Sequence, residues 1–251
     1  MRIVLLIFFI VATVGCGSSS TDVERKGDAA VAASQFEDAN SHYSKAIESE
    51  GGASRLYEKR AKVRMKLEEF KNAESDFTKA IELSKASPQL LMDRAKARYR
   101  IAQYEAAIAD LDQILVLDNK NETAYFLRAQ NRLELMQYVG AMSDINVVLK
   151  DKADYAPYLL LRGRIHLANK DLKKAESDFT SVIVKDPGNA RAFWNRAMVY
   201  DQQGESELAK SDRDQAGQLD ESLIVSSGRT IDDLKGRASS LKPIQVDVTK
   251  Q

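Results

Sequence analysis

The sequence has little of several residue types that usually mark a special class of protein. One cysteine among 251 residues excludes a disulfide within the chain. Proline is scarce, with 4 residues, and glycine is modest, with 12, a composition that favours helix. Lys and Arg number 37, as do Asp and Glu, so the formal net charge is zero. A chain balanced in this way is not expected to be a general nucleic-acid binder.

Motifs for catalysis or metal binding are also lacking in the sequence. The two histidines, His42 and His166, lie far apart, and neither has a cysteine or a second histidine at a metal-ligand spacing. A glycine-rich phosphate loop, a nucleophile elbow and a zinc motif are all missing. We therefore predict that the protein is not an enzyme and uses no cofactor or metal. His166 is expected to be a core or interface histidine.

The N-terminus carries an uncharged apolar run at residues 3–14. A helix of this length reaches about 18 Å, which is short of the roughly 30 Å of hydrocarbon in a bilayer. The run is typical of a secretory signal, so residues 1–15 are predicted to be a signal peptide.

The residues that follow this run resemble a bacterial lipobox, whose cysteine is lipidated and becomes the first mature residue. Residues 13–16 read Thr-Val-Gly-Cys, and only Thr13 departs from the pattern, which prefers leucine there. The resemblance implies a lipid on Cys16, residues 16–19 as a short linker, and a periplasm-facing membrane protein. Gly17, in place of Asp, favours the outer membrane in the enterobacterial pattern. The alternatives are an ordinary signal with an incidental cysteine, or a short membrane anchor.

Several residue types recur at a fixed period of 34 residues. Two columns are small, one is basic and one is acidic, and all four keep register without an insertion. The columns are Ala39, Ala73, Ala107, Ala141, Ala175 and Ala209; Gly27, Ala61, Ala95, Ala129, Gly163 and Ala197; Lys26, Arg60, Arg94, Arg128, Arg162 and Arg196; and Asp76, Asp110, Asp144, Asp178 and Asp212, with His42 in the first unit.

This period and these small positions resemble the tetratricopeptide repeat family, whose repeat is a pair of antiparallel helices. The aromatic or aliphatic residue three before the first alanine column also fits. The sequence departs where the family has a late aromatic, since three repeats carry arginine, and the family's end-of-repeat proline occurs only as Pro187. The resemblance implies an all-α, right-handed α-solenoid of six repeats, 20–53, 54–87, 88–121, 122–155, 156–189 and 190–223. The fitting residues are Phe36, Phe70, Tyr104, Tyr138 and Leu172, and the arginines are Arg64, Arg98 and Arg132.

Two further segments follow the sixth repeat. Thr230 and Asp233 form a capping box ahead of apolar residues at helical spacing, which predicts a C-terminal capping helix over 224–242. Residues 243–251 are expected to be a flexible tail. The apolar residues are Ile231, Leu234, Ala238 and Leu241.

The basic and acidic columns are interpreted as structural. A ligand-binding residue need occur only once, whereas a residue that holds a repeat together occurs in every unit. We expect each arginine to pair with the aspartate of its own repeat and so to join the two helices.

The first helix of each repeat has a face that the family resemblance places on the concave surface. In repeats 3 to 6 this face carries large apolar residues, which indicates a groove for a protein partner. The alternative is that superhelical winding or the C-terminal helix buries several of them. The groove residues are Met92, Tyr99, Phe126, Leu133, Leu160, Leu167, Trp194 and Met198, and a basic flank on the same face comprises Arg55, Lys62, Lys66, Lys96 and Arg100.

These observations favour a protein–protein interaction scaffold, lipid-anchored in the envelope, that binds an amphipathic or acidic extended segment. By size and layout the chain resembles pilotin-type lipoproteins, which escort secretins during assembly. The alternatives are a structural subunit of a larger envelope complex, a soluble exported adaptor without a lipid anchor, and, as a weaker third class, a receptor for a small ligand. We expect no nucleic acid and no small-molecule substrate.

Overall fold

The structure is a computed structural model that describes residues 20–50 and 52–220, and within these ranges it is helical, without strands. Twelve helices form consecutive antiparallel pairs, which confirms the all-α repeat fold. They are α1 (Ser20–Ala32), α2 (Phe36–Glu50), α3 (Ser54–Lys66), α4 (Phe70–Leu83), α5 (Pro88–Arg100), α6 (Tyr104–Leu117), α7 (Glu122–Glu134), α8 (Tyr138–Leu149), α9 (Ala156–Ala168), α10 (Leu172–Lys185), α11 (Ala190–Gln203) and α12 (Ser206–Leu219).

We call the odd-numbered helices A helices and the even-numbered ones B helices. Each A helix begins at the first residue of a 34-residue unit. Local signals account for several of these starts. The side chains of Ser87, Asn121 and Asn189 each accept a hydrogen bond from a backbone N–H in the first turn of the following helix. Pro88 and Pro157 lie in first turns, where a missing N–H costs nothing.

The turn from each A helix to its B helix has the same geometry in every repeat. Its key residue has a positive φ, and the next backbone N–H bonds back to the carbonyl five residues earlier, as in a Schellman motif. Only the last repeat uses glycine there. The positive-φ residues are Ser34, Glu68, Ala102, Met136, Lys170 and Gly204.

The small columns lie where an A helix and its B helix pack together. The six alanines of the first column are fully buried. Where glycine replaces alanine in the second column, an aromatic ring fills the space. A Cβ on Gly27 would lie 2.6 Å from the Tyr43 ring, and one on Gly163 would lie 2.5 Å from the Phe179 ring. These close approaches explain the small residues.

The described residues divide into two compact units. Unit 1 ends at Lys85 and contains α1 to α4; one of its core clusters consists of Ala30, Ala39, Tyr43 and Val63. Unit 2 begins at Ala86 and contains α5 to α12. A much larger core cluster extends from α7 to α11 within unit 2.

The predicted arginine–aspartate pairs are confirmed in repeats 2 to 6. In each, the arginine Nε and Nη2 donate to the two oxygens of one carboxylate over 2.6–3.0 Å. In repeats 2, 3 and 4 a second arginine donates to the same aspartate, at 2.7, 2.9 and 2.7 Å. These second arginines occupy the position where the sequence departs from the family's aromatic. They are Arg64, Arg98 and Arg132.

Several predicted features lie outside the described residues. These are the signal peptide over 1–15, Cys16 with its linker, the helix over 224–242 and the tail over 243–251. Among the helices that the structure describes, none combines the length and the apolar character needed to cross a membrane.

Candidate protein-binding surface

The predicted groove residues belong to the A helices of unit 2, and five of their side chains are buried. Phe126 is 1% exposed and its ring lies 5.4 Å from that of Tyr158 on the next A helix. The prediction that these five form an exposed face is therefore wrong. Within unit 2 successive A helices pack against each other, so a side chain on this face lies between two helices. The five are Met92, Phe126, Leu133, Leu160 and Leu167.

Three of the predicted groove residues stay partly exposed. Trp194 and Met198 lie one turn apart on α11, and Tyr99 lies near the end of α5. The Tyr99 hydroxyl donates to Glu134 over 3.2 Å, and its ring is tilted against that of Tyr104. These three residues are what remains of an accessible apolar surface on this face.

A polar cluster lies on the same face of repeats 3 to 5, and we call it the A-helix cluster: Tyr99, Gln130, Glu134 and Arg164. Glu134 accepts from both Tyr99 and Arg164, the latter at 3.4 Å. Burial raises the pKa of Glu134, while Arg164 and the Tyr99 hydroxyl act to lower it. Burial and the neighbouring Glu134 carboxylate together raise the pKa of Tyr99.

Hydrogen-bonding capacity is left unused in the A-helix cluster. The Nε2 atom of Gln130 is buried and has no partner among the described residues. Arg164 is 7% exposed, and the 3.4 Å contact with Glu134 is long for a charge-assisted bond. Buried donors in this state are costly, so groups of this kind call for a structural or functional reason.

The five residues of the basic flank are all exposed. Arg55 and Lys62 belong to unit 1 and pair with Glu24 and Glu58. Lys96 belongs to unit 2 and lies 3.6 Å from Asp93. The flank thus belongs to two separate units, and part of its charge is neutralised locally. Its other members are Lys66 and Arg100.

The other candidate residues behave as structural ones. His166 is half-buried, with Nδ1 3.7 Å from the Asp171 carboxylate. Burial lowers its pKa, although nearby Asp178 and Asp171 act to raise it. Within residues 20–50 and 52–220, no group of three or more His, Cys, Asp or Glu residues is placed to hold a metal ion.

Two features of the surface were missed by sequence reasoning. The A-helix cluster draws its four residues from three different repeats, so no column marks it. The second is a depression at the turn of repeat 4. The sequence signal for it was Val139, which stands at a position that is charged in the other five repeats and is exposed in the structure.

Comparison with known proteins supports the repeat resemblance. The model of the tetratricopeptide repeat family matches residues 25–90 and 160–210. No curated protein matches the sequence.

Solved structures with the same fold include three of different size. A tetratricopeptide repeat protein from Parabacteroides merdae is 16% identical with a TM-score of 0.72, over 84% of this chain and 88% of that one. A thermophilic tetratricopeptide repeat protein from Thermus thermophilus is 16% identical with a TM-score of 0.60, over 70% of this chain and 97% of that one. A chain of the APC/C hetero-tetramer Cut9–Hcn1 is 13% identical with a TM-score of 0.64, over 84% of this chain and 42% of that one. At these identities the likeness establishes the fold alone.

Proposed function

We propose that this chain, with its tetratricopeptide-type repeats, is a scaffold that binds a segment of another protein on the A helices of unit 2. The observation that carries the proposal is the A-helix cluster, in which Gln130 Nε2 has no partner among the described residues and Arg164 is held by a long contact with Glu134. A partner that presents a carbonyl or a carboxylate would give Arg164, which keeps a little exposure, a closer acceptor than Glu134. Tyr99 and Trp194 supply partly exposed aromatic surface on the same set of helices.

The proposed partner is an extended or amphipathic segment with some acidic character. Lys96 and Arg100 add exposed positive charge on the A helix of repeat 3. Charge of this kind mainly raises the association rate and weakens as salt rises. A structural subunit of a larger envelope complex remains the second candidate, since one structural relative is a chain of a hetero-tetramer.

Trp194 offers a direct test because it is the sole tryptophan of the chain. Partners would be cross-linked in a membrane extract and identified, and their segments synthesised and titrated against the protein while tryptophan emission is recorded. A bound segment that covers Trp194 should shift the emission. Arg164→Gln should weaken binding by about tenfold, the loss expected when a buried donor at an interface is removed.

Val116→Gln is the matched control, since Val116 is an exposed residue on a B helix. Circular dichroism and melting must first show that both variants are folded. Equal binding by Arg164→Gln and wild type would remove the A-helix cluster from the proposal. Several stoichiometric partners in place of one would favour the structural-subunit role.

We further propose that the protein is exported and lipid-anchored at Cys16, facing the periplasm, with the outer membrane favoured and a pilotin-like or envelope-assembly role. The support is the apolar run that ends at the sole cysteine. Mass spectrometry of the mature N-terminal peptide is the test. An acylated Cys16 is expected with more than one chain, because one acyl chain anchors only marginally. Cleavage elsewhere, or an unmodified Cys16, leaves a soluble exported adaptor.

A further inference from the structure

A depression of about 520 Å³ lies at the A-to-B turn of repeat 4. Its lining combines the apolar side chains of Met136, Tyr138 and Val139 with Gly140 and with four polar residues, Arg132, Gln137, Ser143 and Asn169. The size falls within the roughly 300–1,000 Å³ range of ligand pockets. We call it the turn-edge depression. It lies at the turns of the repeats, and none of the four residues of the A-helix cluster is in its lining.

The turn-edge depression exposes large apolar side chains at positions where the other repeats do not. Val139 is 88% exposed and Met136 is 67% exposed, so neither is explained by core packing. The other five repeats all have a charged residue at the position of Val139. At the position of Met136 they have a small or a charged residue. Repeat 4 alone exposes two large apolar side chains there. The residues equivalent to Val139 are Glu37, Lys71, Glu105, Lys173 and Glu207.

Met136 carries a second peculiarity, because its φ is 57°. A non-glycine residue in the left-handed region costs about 1 kcal/mol, and polar or small residues tolerate it best. The fold needs this conformation in every repeat, but it does not need a methionine side chain there. A flexible thioether exposed at a rigid turn is well suited to contact with a partner.

Two lysines lie close in the sequence to the lining residue Asn169. Asn169 lines the depression, and Lys170 follows it at the turn of repeat 5. Lys173 holds in repeat 5 the position that Val139 holds in repeat 4. Both lysines are exposed and make no ion pair among the described residues, whereas Lys174 is paired with Asp171. Exposed apolar side chains, with Arg132 in the lining and two unpaired lysines close in the sequence, favour a ligand that combines apolar and acidic groups.

We propose that the turn-edge depression is a second docking site, which takes an apolar side chain flanked by acidic residues in a segment of a partner protein. The polar part of the lining favours a protein segment over a membrane, since the hydrocarbon of a bilayer offers these groups no hydrogen bond. The site does not depend on the A-helix cluster. A scaffold with both sites binds two segments at once.

The test is a selection of random twelve-residue peptides displayed on phage against the full chain carrying Cys16→Ser, which removes any lipid. Selected peptides should combine a large apolar residue with adjacent Asp or Glu. Their affinity should fall about tenfold in Val139→Glu, which restores the charge found in other repeats, and severalfold in Lys173→Glu. Trp194→Ala should leave this binding unchanged. A negative result for the turn-edge depression therefore does not contradict the proposed binding on the A helices, and the reverse also holds.

Val116→Glu and Lys120→Glu are the matched controls, since both residues are exposed and lie outside the lining of the turn-edge depression. Their affinities should equal that of wild type. The proposal is overturned if no selected peptide depends on Val139, or if the control variants lose affinity equally. Phosphatidylglycerol-containing vesicles provide the last arm: Val139-dependent binding to them, without peptide binding, would make the surface a membrane contact instead.

Discussion

At the scale of single residues, the five buried aspartates are each held by arginine. Asp144 is 2% exposed and accepts from Arg128 and Arg132, so two guanidiniums share one carboxylate. The arrangement places two cations around one buried anion. It is stable only while that anion is present, because removal of one partner from a buried ion pair leaves charge uncompensated.

Asp144→Asn should therefore be strongly destabilising. Breaking a buried pair costs about 3–5 kcal/mol, and the lower end is expected here because the arginine side chains are 16% and 23% exposed. Asp112→Asn is the control: Asp112 also pairs with Arg128, but it is 48% exposed, so a loss under about 1 kcal/mol is expected. Free energies of unfolding in urea decide the matter. Equal losses in both variants would show that burial of the carboxylate is not what makes it important.

His166 predicts a dependence of stability on pH. Burial lowers its folded pKa, so the unfolded chain binds the proton more readily. The stability it contributes is full above the unfolded pKa of about 6.5 and is lost as pH falls from there toward the folded value. His166→Gln should lack this loss. The difference in unfolding free energy between wild type and variant should thus be flat near pH 8 and shift against wild type below about pH 6.5; a shift in favour of wild type would contradict the assignment.

At the scale of the helix pair, the alanine columns set how closely A and B helices approach. Ala141 and Ala175 are fully buried, and a leucine at either has no space without moving a helix. Overpacking of this kind costs about 1–3 kcal/mol. Ala141→Leu and Ala175→Leu should both lower the thermal midpoint. Ala168→Leu, at an exposed residue at the end of α9, should leave it nearly unchanged, and a similar drop there would attribute the effect to leucine itself.

The helix pairs were predictable from sequence because each structural position occurs in several units. The alanine columns and the pairing of Arg128 with Asp144 are visible as columns. The face of an A helix was not predictable in the same way. A helical wheel describes a lone helix and does not show that the next A helix covers Phe126 and Leu160. A large apolar residue repeated along that face was itself a sign of burial.

The surface features were harder to predict because each occurs once. Glu134 and Arg164 meet only through the stacking of repeats 4 and 5, which no sequence spacing within one unit encodes. The second arginines, such as Arg132, were visible as departures from the family's aromatic. Their role could be recognised only in the structure, because the sequence does not show which carboxylate the second arginine of each repeat contacts.

At the scale of the whole molecule, stability should differ along the chain. The first repeat lacks the arginine–aspartate pair, with Lys26 and His42 at those positions, and its core cluster is small. In repeat proteins the stability of a unit depends on itself and on its neighbours, so a terminal unit is supported from one side only. The free energy needed to open a helix locally is lower where its repeat has fewer stabilising contacts.

Amide hydrogen exchange should accordingly be faster in α1 and α2 than in α7 to α10, where the larger cluster lies. Exchange followed by mass spectrometry, with peptides from both regions compared in one sample, provides the measurement. Uniform protection from α1 to α10 would mean that the described helices open as one cooperative body. In that case the smaller core of the first repeat would not set its stability.

The constant period also bears on how such a chain can change length over generations. In repeats 2 to 6 each arginine stands 16 residues before its aspartate, and the units repeat without an insertion. A deletion or duplication of 34 residues in the gene therefore restores every pair, even when it starts between an arginine and its aspartate. A change of 33 or 35 residues instead leaves a buried carboxylate facing the wrong side of its helix. Recombination between neighbouring repeats therefore yields a stable protein only when it adds or removes whole units of 34 residues, because only then does every buried aspartate keep its arginine.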